Sequence, residues 1–172
     1  NHVLNPLPST LKGILMHTAL DIVDAYGGTT GPDFTYGYGR IDVNKSVRLI
    51  ETDLTENRII ESHISENNSI ENYQIDIPSG VSELKLTLVW DDYPGDPEAD
   101  IMLVNDLELT VYNSTDERKY PWTLDPDNPA NVAVRTQEDH LNNVEQVVVD
   151  NPESGTYTII VTNHSELTGS QT

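Results

Sequence analysis

An acidic loop between two alternating apolar segments constrains most strongly what this chain can fold into. Before the loop, every second position is apolar, at Leu84, Leu86, Leu88 and Trp90. After it, one parity is apolar, at Leu103, Leu107, Leu109 and Val111, and the other is largely polar, at Asp106, Glu108 and Thr110. A period of two places alternate side chains on opposite faces of a strand. The sequence therefore predicts two half-buried strands, which would form the start of an all-β domain.

The loop itself is rich in carboxylates and in residues that interrupt regular structure. Pro94, Gly95 and Pro97 prevent a helix or a continuous strand ladder. Oxygen-rich irregular loops of this kind are where calcium binds in many proteins, because calcium takes six to eight oxygen ligands. Two loops of the chain have this character, and their candidate ligands are Asp91, Asp92, Asp96, Asp100 and Asp106 in the first and Asp125, Asp127 and Asp139 in the second.

Two readings of these carboxylates stay open. Besides Asp106, Asn105 could contribute to the first site, and Asn128, Glu138 and Asn143 could contribute to the second. Neither loop has the spacing of an EF-hand. The alternative is that Asp91, Asn105 and Asp106 cap strands and accept hydrogen bonds from backbone amides in turns.

Charge and composition exclude several classes of partner. The 172 residues include 9 basic and 29 acidic side chains, which gives a formal charge of −20. Such a charge repels nucleic acid and anionic membranes, so we expect neither as a partner. No apolar run approaches the length of a membrane span. Without cysteine the chain has neither disulfides nor thiolate metal sites.

Residues 1–51 differ in pattern from the rest of the chain. Apolar residues recur at helical spacing around Ile14, and a second helix is expected after Asp42, a suitable cap, with Val43, Val47 and Ile50 as its apolar face. Gly13 inside the first helix indicates close packing against another element, which we place outside this chain. Two short helices cannot bury their own apolar faces, so this segment is expected to need a partner. A linker is expected at 52–57.

Residues 52–172 are predicted to form an antiparallel β-sandwich of jelly-roll type. Strands are expected at 58–64, around Tyr73 to Ile77, in the two segments that flank the acidic loop, around Val144 to Val149, and at 156–162, with turns between them. One further strand is expected after Thr172.

The order and spacing of eight motifs carry a resemblance to a known family. They are NPLPSTLKGILMHTA at 5–19, GPD at 31–33, YGYGRIDVNKSV at 36–47, LTLVWDDYPG at 86–95, LVNDLEL at 103–109, YPWTLDP at 120–126, NNVEQV at 142–147 and NPESGTYT at 151–158. The first three resemble the end of a subtilisin-like serine protease domain, or subtilase, where its last helices lie. The others resemble the jelly-roll domain that follows it in some subtilases, similar to the P domain of proprotein convertases.

The resemblance implies a non-catalytic role in a secreted endopeptidase. The aspartate, histidine and serine motifs of the family are absent here, and His2, His17, His63, His140 and His164 are interpreted as structural or exposed. The implied partner is the subtilase catalytic domain of the same protein, through which the chain would serve a peptide or protein substrate. The domain would brace that partner, with calcium implied as a structural ion.

The alternative is an adhesion or binding module for a protein or carbohydrate polymer. Trp90, Trp122, Tyr112 and Tyr120 would then form an exposed stacking surface. Trp90 is in phase with the core leucines and is predicted to be buried, which favours the bracing role.

Overall fold

The computed structural model describes residues 5–66 and 69–172. His2 therefore lies outside the described residues. Two helices precede six strands in this part of the chain. Their bounds are α1 Pro8–Thr18, α2 Val43–Glu56, β1 Ile70–Ile77, β2 Glu83–Val89, β3 Leu107–Tyr112, β4 Arg118–Lys119, β5 Val144–Asp150 and β6 Gly155–Asn163.

The strands form two antiparallel sheets, which confirms the predicted mainly-β sandwich. The larger sheet has the order β1-β6-β3-β4, and the smaller pairs β2 with β5. The long central strand β6 pairs along its whole length with β1 and over six residues with β3. Strand β4 pairs only with Val111 and Tyr112, so within residues 5–66 and 69–172 no strand lies beside the first four residues of β3 at its outer edge.

The two alternating segments that flank the acidic loop lie in different sheets. Strand β2 pairs with β5, whereas β3 pairs with β6 and β4. Their apolar rows nevertheless meet, because both rows point into the core between the sheets. Trp90, Leu109 and Val111 are at most 3% exposed in this cluster. The period of two therefore predicted the buried faces correctly, while strand pairing depended on distant segments.

Helix α2 begins as the sequence predicts and ends later. The Asp42 carboxylate accepts a hydrogen bond from the backbone N–H of Lys45 at 3.0 Å, the usual capping bond at a helix start. The helix continues to Glu56, so the linker expected at 52–57 is wrong over nearly all its length. Asn57 ends the helix in the left-handed conformation, with φ +50°. The Asn57 backbone N–H donates to the Asp53 carbonyl oxygen, and this cap closes the last helical turn over the residues expected to form a linker.

The strand predicted at 58–64 is also wrong. Residues 58–63 have no strand pairing, and only Ile64 makes an isolated antiparallel bridge, with Gln171. The physical reason lies at the preceding helix end, where the N–H of Ile59 donates to the Asp53 carboxylate at 2.6 Å. That bond ties the start of the segment to the last turns of α2.

Helix α1 packs on the sandwich rather than on an absent element. An added Cβ at Gly13 would lie 3.2 Å from the Val89 side chain, so glycine lets the helix approach β2 closely. The N-terminus of α1 is capped from a distance, because Asp91 accepts from the N–H of Ser9 at 3.1 Å and Glu61 accepts from that of Leu7 at 3.1 Å. The expectation that Gly13 needs a partner outside this chain is therefore wrong.

His17 lies in the contact between α1 and β2, and it makes this contact sensitive to acid. Its Nδ1 is 3.0 Å from the Thr87 hydroxyl oxygen. Burial and, to a smaller extent, the nearby charge of Lys85 together lower the pKa of His17 to about 4, against a smaller opposing effect of Glu83. Because the folded pKa lies below the ordinary 6.5, the unfolded state binds more protons between these values. Stability is therefore lost as the pH falls from 6.5 to 4.

We expect the His17→Gln variant to lose less stability on acidification than the wild type. Glutamine keeps a polar group near Thr87 and does not titrate. Between pH 7 and pH 4.5 the wild type should lose roughly 1 to 2 kcal/mol more unfolding free energy than the variant, a figure reduced to allow for solvent screening of a partly exposed side chain. Urea unfolding at both pH values measures it. The exposed His63→Gln variant is the control, and an equal acid loss in all three proteins would contradict the prediction.

Candidate metal centre

A cluster of histidine and carboxylate side chains lies on the outer face of β3. Asp106 immediately precedes the strand and Glu108 follows two residues later, so both point to the same side of the sheet. This is the face opposite the buried Leu107 and Leu109, as the alternation in the sequence predicts. His164 comes next to Asp106 across the sheet, where its N–H donates to the Asp106 carbonyl oxygen at 2.8 Å.

The loop before β5 completes the cluster. His140 Nδ1 lies 2.8 Å from Asp106 Oδ2, and His140 Nε2 lies 3.3 Å from Glu138 Oε2. The rings of His140 and His164 are in contact, with centroids 4.2 Å apart and planes tilted by 43°. The cluster contains two groups of three potential metal ligands, and within each group the ligand atoms lie within 4.8 Å of one another. The groups are Asp106, His140 and His164, and Glu108, Glu138 and His164.

Arg118 on β4 is the cation that balances the second of these groups. Its guanidinium pairs with the carboxylates of Glu108 and, at 2.7 Å, Glu138. Burial by itself raises the pKa of Glu138 and is the largest single influence. The hydrogen bond and the charge of Arg118 together outweigh burial, so the pKa is lowered. Asp106 is different, because desolvation raises its pKa against the opposing effect of His140. Oδ1 of Asp106 is buried and has no hydrogen-bond partner among the described residues.

Glu145 lies beside this cluster but on the core side of β5. The residue is fully buried, and its Oε2 accepts a hydrogen bond from the N–H of Leu109 at 2.6 Å. The carboxyl group thus takes the place of the strand that is missing at the edge of β3. Burial raises the pKa of Glu145 to about 9 despite that hydrogen bond, and the charges of Asp139, Glu108 and Asp106 add to the effect. Glu145 is therefore uncharged at neutral pH.

The first predicted calcium loop uses its carboxylates mainly as backbone caps. Asp91 caps helix α1. Asp92 accepts from the N–H groups of Val104 and Asn105, at 2.7 and 2.9 Å, and so closes the loop. Asp96 accepts from Glu98 within a turn, and Asp100 is exposed. Asp91 and Asp92 thus accept from backbone N–H groups, although Asp91 caps a helix rather than a strand as the alternative expected. Asn105 likewise accepts from the N–H of Thr168, whereas Asp106 pairs with His140 instead.

The second predicted loop is organised in the same way. Asp125 accepts from the N–H groups of Asp127 and Asn128 in an exposed turn, where Asp127 itself is exposed. Asp139 is buried and accepts from the N–H of Leu141 at 2.9 Å. Of the eight predicted ligands, only Asp106 belongs to a metal-sized group of histidine and carboxylate atoms within the described part of the chain.

The donor set at this cluster does not suit calcium, which takes oxygen ligands. The one predicted calcium residue that joins a group is accompanied by two imidazoles. This group therefore fits calcium poorly, and calcium at the eight predicted positions stays a prediction.

Sequence reasoning placed Asp106 and Glu108 on one strand face but missed the two histidines. His140 and His164 are 24 positions apart and belong to different segments, with no short motif between them. The available signal was the scarcity of histidine, five in 172 residues, together with one member in the oxygen-rich second loop. That signal does not specify which residues meet in space.

Of the four aromatic residues proposed for a stacking surface, Trp90 is buried, whereas Tyr112, Tyr120 and Trp122 are half-buried. Trp90 is 1% exposed, and its Nε1–H donates to the Asn105 carbonyl oxygen at 2.9 Å. The Arg135 guanidinium lies 4.4 Å from the centre of the Trp122 ring, and that of Arg118 lies 4.7 Å from the Tyr120 ring. These arginine contacts restrict the ring faces that a polymer would use.

The fold and the cluster define a small antiparallel β-sandwich with a docked two-helix segment and a histidine–carboxylate centre at one sheet end. No model of a known protein family matches the chain, and no curated protein matches it significantly. Among the described residues, neither helix is long and apolar enough to cross a membrane.

Proposed function

We propose that the chain is the non-catalytic C-terminal part of a secreted subtilisin-like serine endopeptidase, in which it braces the catalytic domain. The observation that carries the proposal is the apolar surface of the helical segment. Under a third of the described residues lie in 5–56, yet this segment holds 11 of the 19 large apolar side chains that are exposed in the described chain. They are Leu11, Leu15, Leu20, Val23, Tyr26, Phe34, Ile41, Val43, Val47, Ile50 and Leu54.

The exposed face of α2 is the clearest part of this surface. Val43, Val47 and Ile50 are 65%, 48% and 43% exposed, and they are the residues that the sequence assigns to the apolar side of the helix. An apolar stripe of this width normally faces a core. A contiguous exposed patch of this kind indicates a protein contact.

The other side of the helical segment is held by the sandwich. Asp91 and Glu61 cap α1, and Gly13 lets it pack closely on β2. The loop that follows is docked as well, because an added Cβ at Gly31 would lie 3.0 Å from the Trp122 ring. With one side anchored and the other apolar and free, the helices have the arrangement expected of a brace between two domains.

The test is complex formation with the separately produced catalytic domain of the same polypeptide. We expect a one-to-one complex on size-exclusion chromatography, and a longer half-life of peptidase activity than for the catalytic domain alone. This chain alone should not hydrolyse peptides. Val47→Asp should weaken the complex at least about tenfold, because it places a charge in an apolar interface.

Val132→Asp is the matched control. Val132 is 59% exposed and lies in the long loop before β5, outside the helical segment 5–56. It should leave the affinity unchanged. Equal weakening by both substitutions, absence of a complex, or hydrolysis by this chain alone would each contradict the proposal.

The second candidate is a binding module, and one observation favours it. A largely apolar cleft of about 290 Å³ lies between α1, the 58–64 segment and the sandwich, with Ile14, Ile60 and Leu88 in its wall. A cleft of this size takes an apolar side chain of a peptide rather than a large ligand. Retention of the isolated chain on a protein or carbohydrate polymer, reduced by Ile60→Glu but not by Val47→Asp, would support this candidate over the brace.

A further inference from the structure

We propose that Asp106, His140 and His164 form a binding site for a divalent transition-metal ion of the zinc class. This site is independent of the proposed brace, because it lies at the sheet end and shares no residue with the apolar helical surface. One carboxylate and two imidazoles are a ligand set that zinc accepts, with a fourth position left for water.

The sheet holds two of the three ligands in place. Leu107 and Asn163 are directly paired in the antiparallel register, so Asp106 and His164 come next to each other at the end of that pair. The N–H of His164 donates to the Asp106 carbonyl oxygen, which fixes the two backbones together. Binding would therefore require little reorganisation of these two residues.

His140 supplies the third ligand with the correct nitrogen directed to the site. Its Nδ1 faces Asp106 at 2.8 Å, and its Nε2 faces Glu138 at 3.3 Å. With Nδ1 on the ion, an Nε2–H would donate to Glu138. A carboxylate that orients a metal-bound histidine in this way is a common outer partner in zinc sites.

The distances allow closure by small side-chain movements. The three ligand atoms all lie within 4.8 Å of one another. Tetrahedral zinc with bonds of about 2.0–2.2 Å places its ligands roughly 3.3–3.6 Å apart. The Asp106–His140 pair is already closer than that, and the proton between them would leave when the ion binds.

The electrostatics of the site favour a cation. In the described residues the only arginine or lysine in ion-pair contact with the cluster is Arg118, and both its contacts are with Glu108 and Glu138. Asp106 has no such partner, and its buried Oδ1 lacks a hydrogen bond. This distribution favours the group with Asp106 over the group with Glu108, whose carboxylates Arg118 already occupies.

The ion would join the loop before β5 to the larger sheet. His140 belongs to that loop, whereas Asp106 and His164 belong to the ends of β3 and β6. Since β5 pairs only with β2, the bound ion would add a connection between the two sheets.

Calorimetric titration of the metal-free chain with Zn²⁺ tests the site. We expect saturation at one equivalent and a higher unfolding temperature with zinc. His140→Ala and His164→Ala should each weaken binding at least about tenfold, and Glu138→Gln about tenfold as an outer partner. His63→Ala, a histidine outside both ligand groups, is the matched control and should bind as the wild type does. Ca²⁺ at the same concentration should neither compete nor stabilise through this site.

Ring ¹⁵N chemical shifts provide a readout that does not depend on the stability of a variant. On zinc addition to the wild type, we expect the ring nitrogens of His140 and His164 to shift, and those of His17 and His63 to stay. Absence of binding, equal weakening by His63→Ala, equal shifts of all histidines, or displacement of zinc by calcium would each overturn the proposal.

Discussion

The Glu145→Gln variant is expected to be more stable than the wild type at pH 7, by roughly 3 kcal/mol. The wild-type carboxyl is fully buried, and its folded pKa is about 9 against an ordinary value of 4.5. Between these values the unfolded state binds fewer protons than the folded state, so stability falls as the pH rises. Glutamine is uncharged in both states and keeps an oxygen that can accept from the N–H of Leu109.

The pH profile distinguishes this cause from simple repacking. Below pH 4.5 wild type and variant should have similar stability, because the carboxyl is then protonated in both states. The difference should grow from pH 5 to pH 9 and then level off. Urea unfolding at pH 5, 7 and 9 measures it. Glu153→Gln, in the exposed turn before β6, should change little. A variant that is less stable than the wild type at pH 9, or a constant difference at all pH values, would contradict the prediction.

The Trp90→Ala variant is expected to lose about 4 kcal/mol of unfolding free energy. Trp90 is 1% exposed and belongs to the core cluster at the point where β2 ends and the acidic loop begins. Its removal leaves a cavity among apolar neighbours and deprives the Asn105 carbonyl oxygen of the indole N–H. Asn105 is itself fully buried and binds the C-terminal segment through Thr168 and Gln171. Trp90→Ala should therefore also weaken the attachment of that C-terminal segment to the sandwich.

Two further substitutions separate these effects. Trp90→Phe keeps much of the apolar volume but removes the indole N–H, and it should cost roughly 2 kcal/mol. Trp122→Ala removes a half-buried ring in contact with Arg135, and it should cost less than Trp90→Ala. The variants are compared by their urea unfolding midpoints, provided that the slope of unfolding free energy against urea concentration stays the same. Equal losses for the two alanine variants would show that Trp90 is not the central core residue.

Much of the fold could be predicted from the sequence because its signals are local. The alternation from Leu84 to Trp90 and from Leu107 to Val111 identified the buried faces, and the shared parity of Asp106 and Glu108 placed both carboxylates on the outer face. Asp42 was recognised as a helix cap from its position alone. Each of these features depends on residues a few positions apart, whose geometry follows from backbone periodicity.

The tertiary structure decided what depends on distant segments. It placed the two alternating segments in different sheets, packed Gly13 on Val89, and left 58–63 unpaired. It also brought His140 to Asp106 and buried Glu145 at the unpaired edge of β3. A period of two determines which side of a strand a residue occupies but not which strand lies beside it. Partner choice is set by the packing of the whole core, and no pattern in a local stretch of sequence records it.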